Sequence, residues 1–204
     1  MVKDLRAMTG SPLKDCMKVL DETNGDIEKA KELLRKRGLA DAEKRTGRAT
    51  GEGYVGMKFD SAAKLVTMVE MTCETDFVAK TDKFIEGIET VLDTFHSHGR
   101  ALEITQQQMS DADYIQKLTR EVKLIKSLDA DMLSQTIEEG IKYVISKTQE
   151  NCKLTKVYQR SWNPEEGEIL HSYVHNPART NGIISLGKIG ALVFLKAQDK
   201  EHNK

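Results

Sequence analysis

At Cys73-Glu74-Thr75-Asp76-Phe77-Val78 the hydrophobic pattern changes period, and that change limits the fold more than any other feature of the chain. Upstream, residues 54–59 and 64–71 are rich in β-branched and large apolar side chains and read as two strands joined by a turn at Asp60-Ser61. Downstream, Phe77, Phe84, Ile85, Ile88, Val91, Leu92 and Phe95 recur at helical spacing and predict one long helix ending near His98-Gly99. Further strand-like runs follow at 154–158, 168–174 and 189–195. Together these predict an α+β core, residues 54–204, in which a mostly antiparallel sheet is covered on one face by helices. Between 100 and 128, Tyr114, Leu118, Val122 and Leu124 permit a helix without a clean border, and Leu133, Ile137, Ile141, Val144 and Ile145 mark a firmer one. Residues 200–204 read as a polar tail.

The first 42 residues have their own punctuation. Leu5, Met8 and Thr9 lie at helical spacing up to Gly10-Ser11-Pro12, where Ser11 is a cap and Pro12 a first-turn residue for a second helix bearing Leu13, Cys16, Met17 and Leu20. Asn24-Gly25-Asp26 ends that helix, and Asp26 caps a third with Ile27, Ala30, Leu33 and Leu34 on one face, stopped by Gly38. A three-helix module of this size has a meagre core, which suits a recognition head attached to something larger. Residues 43–53, polar and glycine-rich with Lys44, Arg45 and Arg48, read as a basic connector.

Composition excludes several function classes. Thirty-one lysines and arginines against 32 aspartates and glutamates leave a formal net charge of −1, so there is no general drive toward nucleic acid or an acidic membrane. Cys16, Cys73 and Cys152 are odd in number and far apart, unlike a disulfide framework or a structural zinc site, and point to a reducing compartment. No apolar run approaches the ~20 residues of a membrane span, and Met1-Val2-Lys3-Asp4-Leu5 lacks a secretory apolar region.

The chemistry-bearing residues do not assemble into an enzyme. Glu70, Glu74 and Asp76 alternate as on one side of a strand, but no histidine lies near them in sequence, so solvated carboxylates are preferred to a general acid or a metal site. Asp76 has a simpler role as the N-cap of the following helix. Phe77 or Val78, facing outward there, makes an interface anchor beside a charge; the competing reading puts Phe77 in the core. His171 and His175 share a strand face without a third ligand, and His96 and His98 sit at a helix end where they cap. Gly182, Gly187 and Gly190 form neither a dinucleotide fingerprint nor a Walker loop, so no nucleotide, cofactor or small-molecule substrate is expected for this chain. Trp162, alone before Asn163-Pro164, packs under a loop rather than forming a base-stacking surface.

On these residues the chain resembles the elongation factor Ts family. Leu5-Arg6-Ala7-Met8-Thr9-Gly10, then Asp15-Cys16-Met17-Lys18-Val19-Leu20 and Gly25-Asp26, are similar to that family's ubiquitin-associated-like (UBA-like) N-terminal module, with Met17 where lysine is usual. Val69-Glu70-Met71-Thr72-Cys73-Glu74-Thr75-Asp76-Phe77-Val78-Ala79 is similar to its most diagnostic segment, with Met71-Thr72 where Val-Asn is common. Ser172-Tyr173-Val174-His175 and residues 186–193 resemble the first core subdomain in a version closer to mitochondrial members.

The resemblance implies a non-enzymatic guanine-nucleotide exchange factor for the GTPase elongation factor Tu, in the mitochondrial matrix, or in the cytoplasm if bacterial. It implies partner contacts at Arg6, Thr9, Gly10 and Cys16 in the module, at Thr75, Asp76, Phe77 and Val78 beside the partner's magnesium and phosphate region, and at His175. The resemblance also implies a second core portion after the strand at 189–195, which this chain is expected to lack, whether as a natural short form or as a truncated sequence. A binding partner on the same scaffold that no longer releases nucleotide is the alternative reading.

Overall fold

The computed structural model describes residues 1–102, 104–129 and 134–196. Leu133 and the 200–204 tail, both read above, lie outside the described residues.

Three helices open the chain. α1 (Val2–Thr9) ends at Gly10, whose φ of 67° is the left-handed geometry that glycine adopts without a Cβ penalty. In α2 (Leu13–Glu22) Pro12 itself holds the N-cap position, and Ser11 makes no cap bond. The expected Ser11 cap is therefore corrected by one residue. α3 (Ile27–Arg45) starts on Asp26, whose carboxylate accepts from the Lys29 amide at 3.1 Å, as expected. Leu5, Cys16, Val19, Leu20, Ala30 and Leu34 form the small core of this module.

Gly38 does not stop α3. A Cβ at that position would lie 3.2 Å from the Ser146 Cβ, so the glycine lets two helices approach closely. The helix continues to Arg45, and its Ala42 enters the main core of the protein. β1 (Glu52–Asp60) takes the last two residues of the expected connector, leaving 46–51 irregular.

β1 and β2 (Leu65–Cys73) form the predicted hairpin, with Asp60 accepting from the Ala62 and Ala63 amides in the turn. β2 also pairs with β3 (Cys152–Ser161), and β1 with β6 (Ile184–Gly187), which carries β5 (Arg179–Asn181) at the edge. The resulting five-stranded sheet runs β3-β2-β1-β6-β5, and every pairing is antiparallel. The short β5 and β6 had no alternating pattern long enough to reveal them. β4 (Glu168–His175) and β7 (Ile189–Lys196), read as strands of one sheet, instead pair, among the described residues, only with each other as a separate ribbon.

Helices cover one face of the sheet. α4 (Asp76–Ala79) and α5 (Asp82–Ser97) follow β2; α6 (Ala112–Glu121) and α7 (Ile137–Thr148) precede β3. Phe84, Ile88, Val91, Leu92 and Phe95 of α5 bury against Val69 and Met71, and α7 adds Ile141, Val144 and Ile145. The border of α6 is set by Asp111, which accepts from the Asp113 and Tyr114 amides. The ribbon covers the opposite face around Met57, Val66, Trp162 and Leu170, with Trp162 stacked on Phe59 at 5.2 Å between ring centroids. The outer side of the ribbon leaves Ile169, Tyr173, Ile189, Val193 and Leu195 exposed.

Candidate partner-binding site

The predicted single helix from Phe77 to Phe95 is two helices, because threonine supplies a cap twice. Thr75 is the N-cap of α4 and accepts from the Val78 amide at 3.3 Å; Thr81 caps α5 by accepting from the Phe84 amide at 3.3 Å and donates to the Val78 carbonyl at 2.8 Å. Asp76 is thus not the cap. It occupies the first helical position, where a carboxylate meets the favourable end of the peptide dipoles, and accepts from Lys80 at 2.7 Å. That bond from Lys80 holds the Asp76 carboxyl below the usual carboxylate range and raises the Lys80 ammonium in return.

This single turn forms a tip that sorts its two apolar residues. Val78 is buried, 8% exposed, and Phe77 is 78% exposed, which places Phe77 outside the core and off the α5 face. Lys80 Nζ lies 5.9 Å from the Phe77 ring centroid. An aromatic ring in water, flanked by an ion pair and mounted on a capped turn, is an arrangement for gripping a surface.

The tip is braced by residues from a distant part of the chain. The Thr75 amide donates to Glu150 Oε2 at 2.9 Å and the Thr75 hydroxyl to Glu150 Oε1 at 2.7 Å. Glu74 accepts from the Asn151 amide at 2.6 Å and pairs with Arg48 at 3.3 Å. The buried Asn151 side-chain amide donates to the Thr46 and Arg48 carbonyls, at 3.0 and 2.6 Å. Below them, Cys73 and Cys152 face each other across β2 and β3 as reduced thiols. Burial, with Glu150 nearby, pushes the Cys73 thiol up to about 12, and burial beside Cys73 does the same to Cys152. Such thiols are inert rather than catalytic.

The three carboxylates that alternated in the sequence have separate partners. Glu70 binds the Thr155 hydroxyl at 2.6 Å and pairs with Lys156, Glu74 holds Asn151, and Asp76 holds Lys80. Among the described residues no group of three histidine, cysteine, aspartate or glutamate side chains is placed to hold a metal ion. His98 caps α5 as expected, its Nδ1 2.8 Å from the Thr94 carbonyl oxygen. His96 instead turns inward to the Thr67 hydroxyl at 3.0 Å.

In the N-terminal module Arg6 and Gly10 are exposed, while Thr9 and Cys16 are buried, Thr9 donating to the Leu5 carbonyl at 2.7 Å. Thr9 and Cys16 therefore shape the module from within. Its exposed large apolar residues are Met1 (60%), Met8 (54%), Leu13 (46%) and Met17 (51%), the last two one turn apart on α2. The end of α1 is tied to the core by Lys147, whose ammonium donates to the Thr9 carbonyl at 2.7 Å. His175 is exposed at the end of β4, its Nδ1 3.0 Å from the Tyr173 hydroxyl. Its carbonyl abuts Gly187 beside Lys188, which pairs with Glu52 at 2.7 Å and lies over the Tyr54 ring. The cross-strand pairing of Glu52 with Cys73 puts this charged group near the base of the tip.

Sequence reasoning missed Glu150 and Asn151. They stand 75 and more residues from the groups they hold, with no motif around them, and only the register of β2 on β3 brings them into place.

Comparison with known proteins returns one consistent picture. The family model described as Elongation factor TS matches residues 74–204. The chain is 38% identical over 198 residues to "Elongation factor Ts" of Aquifex aeolicus, covering 97% of this chain and 59% of that protein. It is 34% identical over 195 residues to the protein of the same name from Desulfovibrio desulfuricans (96% and 55%), and 36% over 178 residues to that of Clostridium perfringens (87% and 51%). The chain thus spans a little over half the length of the curated relatives it matches.

Proposed function

The chain belongs to the elongation factor Ts family, and from that premise we propose that it promotes GDP release from elongation factor Tu by pressing the Asp76-Phe77 tip into the partner's magnesium and phosphate region. The observation that carries this reading is the exposure of Phe77 on a turn whose neighbours are buried and hydrogen-bonded. An anchor of that kind transmits force only when its base does not yield, and Glu150, Thr81 and the β2–β3 register supply that stiffness.

The action needs no covalent chemistry. Contacts made with the opened, nucleotide-free partner lower its affinity for GDP, and by reciprocity nucleotide lowers its affinity for this protein. Moving the side chains that support the partner's Mg²⁺ weakens the charge that screens the diphosphate. The UBA-like module supplies a second contact, on the partner's nucleotide-binding domain, through Arg6, Gly10 and the exposed Met8, Leu13 and Met17. A mitochondrial-like placement, with a matrix location, rests on the 172–175 and 186–193 segments, and localisation of the tagged gene product tests it.

The competing reading is a partner that binds elongation factor Tu without releasing its nucleotide. Stopped-flow release of fluorescent GDP from elongation factor Tu, chased with excess unlabelled nucleotide, separates the two. Exchange predicts a release rate that climbs with the concentration of this protein and then saturates. Binding with an unchanged rate selects the non-exchanging partner.

A further inference from the structure

We infer that Glu150 is a positioning residue for the exchange tip, a carboxylate that fixes Thr75 so that Asp76 and Phe77 are presented in one orientation. The inference rests on the exchange reading above and deepens it. Both oxygens of Glu150 are engaged by one residue, at 2.9 Å from the Thr75 amide and 2.7 Å from its hydroxyl. The hydroxyl therefore donates to Glu150 while it accepts from the Val78 amide, which fixes its rotamer and with it the start of α4.

Glu150 is held in turn. It follows Gln149, the left-handed C-cap of α7 at φ 64°, whose side-chain oxygen accepts from Arg45 at 2.7 Å. It precedes Asn151, which is anchored through its own amide to Glu74 and through its side chain to the Thr46 and Arg48 carbonyls. The carboxylate is thus clamped between the last turn of α7, the end of α3 and the start of β3 before it reaches the tip. A side chain that merely stabilised the fold would not need two donors from the one residue that caps the contact turn.

The test uses the full chain with Glu150→Ala, Glu150→Gln, Phe77→Ala and the Glu150→Ala/Phe77→Ala pair. Amide hydrogen exchange across residues 74–80 is read on the free protein, and the maximal GDP release rate is read at saturating factor. Losing two bonds to a charged acceptor is expected to raise amide exchange at the tip by about tenfold and to lower the maximal release rate by a similar factor, with little change in the half-saturating concentration. Glu150→Gln, which keeps an acceptor for one Thr75 donor, is expected to recover part of both. The double variant is expected to release GDP no more slowly than Phe77→Ala alone, because the clamp acts through the tip.

Unchanged protection at 74–80 in Glu150→Ala overturns the inference, and so does a full additive loss in the double variant. Should Glu150→Ala fail to fold, Thr75→Val removes the hydroxyl arm from the other side and is read by the same two signals. If the wild-type chain does not accelerate release, the exchange reading falls, and tip protection alone decides whether Glu150 positions it.

Discussion

The tip and the N-terminal module each present apolar side chains to solvent, but on different supports. Phe77 stands on a single turn capped by Thr75, with Glu150 beneath it and Val78 buried beside it. Met8, Leu13 and Met17 stand on the outer sides of two helices, over a core of six small and medium side chains. A phenyl ring has few torsions to freeze on contact, whereas a methionine has three and a soft, adaptable sulfur. On the exchange reading the difference gives them separate tasks. A stiff aromatic suits displacing groups on a partner, and a pliable methionine surface suits staying attached while the partner changes shape.

Phe77→Ala is the sharpest way to break this division. As an interface anchor it is expected to carry about 2 kcal/mol or more, so the maximal GDP release rate should fall roughly 30-fold. Because the ring is exposed, thermal unfolding should move by no more than about 0.5 kcal/mol equivalent. A variant that unfolds early would return Phe77 to the core.

Leu13→Ser with Met17→Ser addresses the other surface. The half-saturating concentration should rise about tenfold while the maximal rate holds, since only contact common to the bound states is lost. A loss confined to the maximal rate would merge the two surfaces into one.

Cysteine labelling compares the two supports without the partner. All three thiols are buried and should resist alkylation near neutral pH until the structure opens. Cys16 reports the small module and should react first, with Cys73 and Cys152 following at the rate at which the main core opens. The reverse order would mean that the module is the firmer of the two.

The smallest effect belongs to His96, which touches neither surface. Burial and the Lys58 charge hold its imidazole below the usual 6.5, so the unfolded chain binds its proton more readily than the folded one. Its contribution is therefore complete above pH 6.5 and is lost as pH falls through the folded value. Melting temperature should decline as pH falls from 6.5 toward the folded value, and His96→Asn should flatten the decline without separating the two surfaces' kinetic signatures.

Much of this architecture was legible because local rules decided it. The β1–β2 hairpin, the Asp26 cap, the stop at Gly10 and the apolar face of α5 follow from residues within a few positions of one another. The tip itself was legible as a place but not as a geometry. Thr75 and Thr81 compete with Asp76 for the cap, and only the packed structure shows that two threonines cut one helical pattern into two helices. Gly38 was misread for a related reason. In isolation it is a stop signal, whereas against Ser146 it is a point of close approach. The ribbon of β4 and β7 escaped prediction because alternation identifies a strand without naming its neighbour.

On the exchange reading, α3 carries a consequence for how the protein would meet a partner. Its 19 residues make a rod roughly 28 Å long that begins in the module and ends in the main core, with Ala42 already packed there. The spacing between the two contact surfaces is therefore set by a rigid strut, and landing on one brings the other to a fixed address. For a flexible tether the second contact would be diluted over every reach of the linker. With a strut its local concentration is high at one separation and negligible at others, so on the exchange reading the protein would work as a gauge that fits one spacing of the partner's surface and penalises every other.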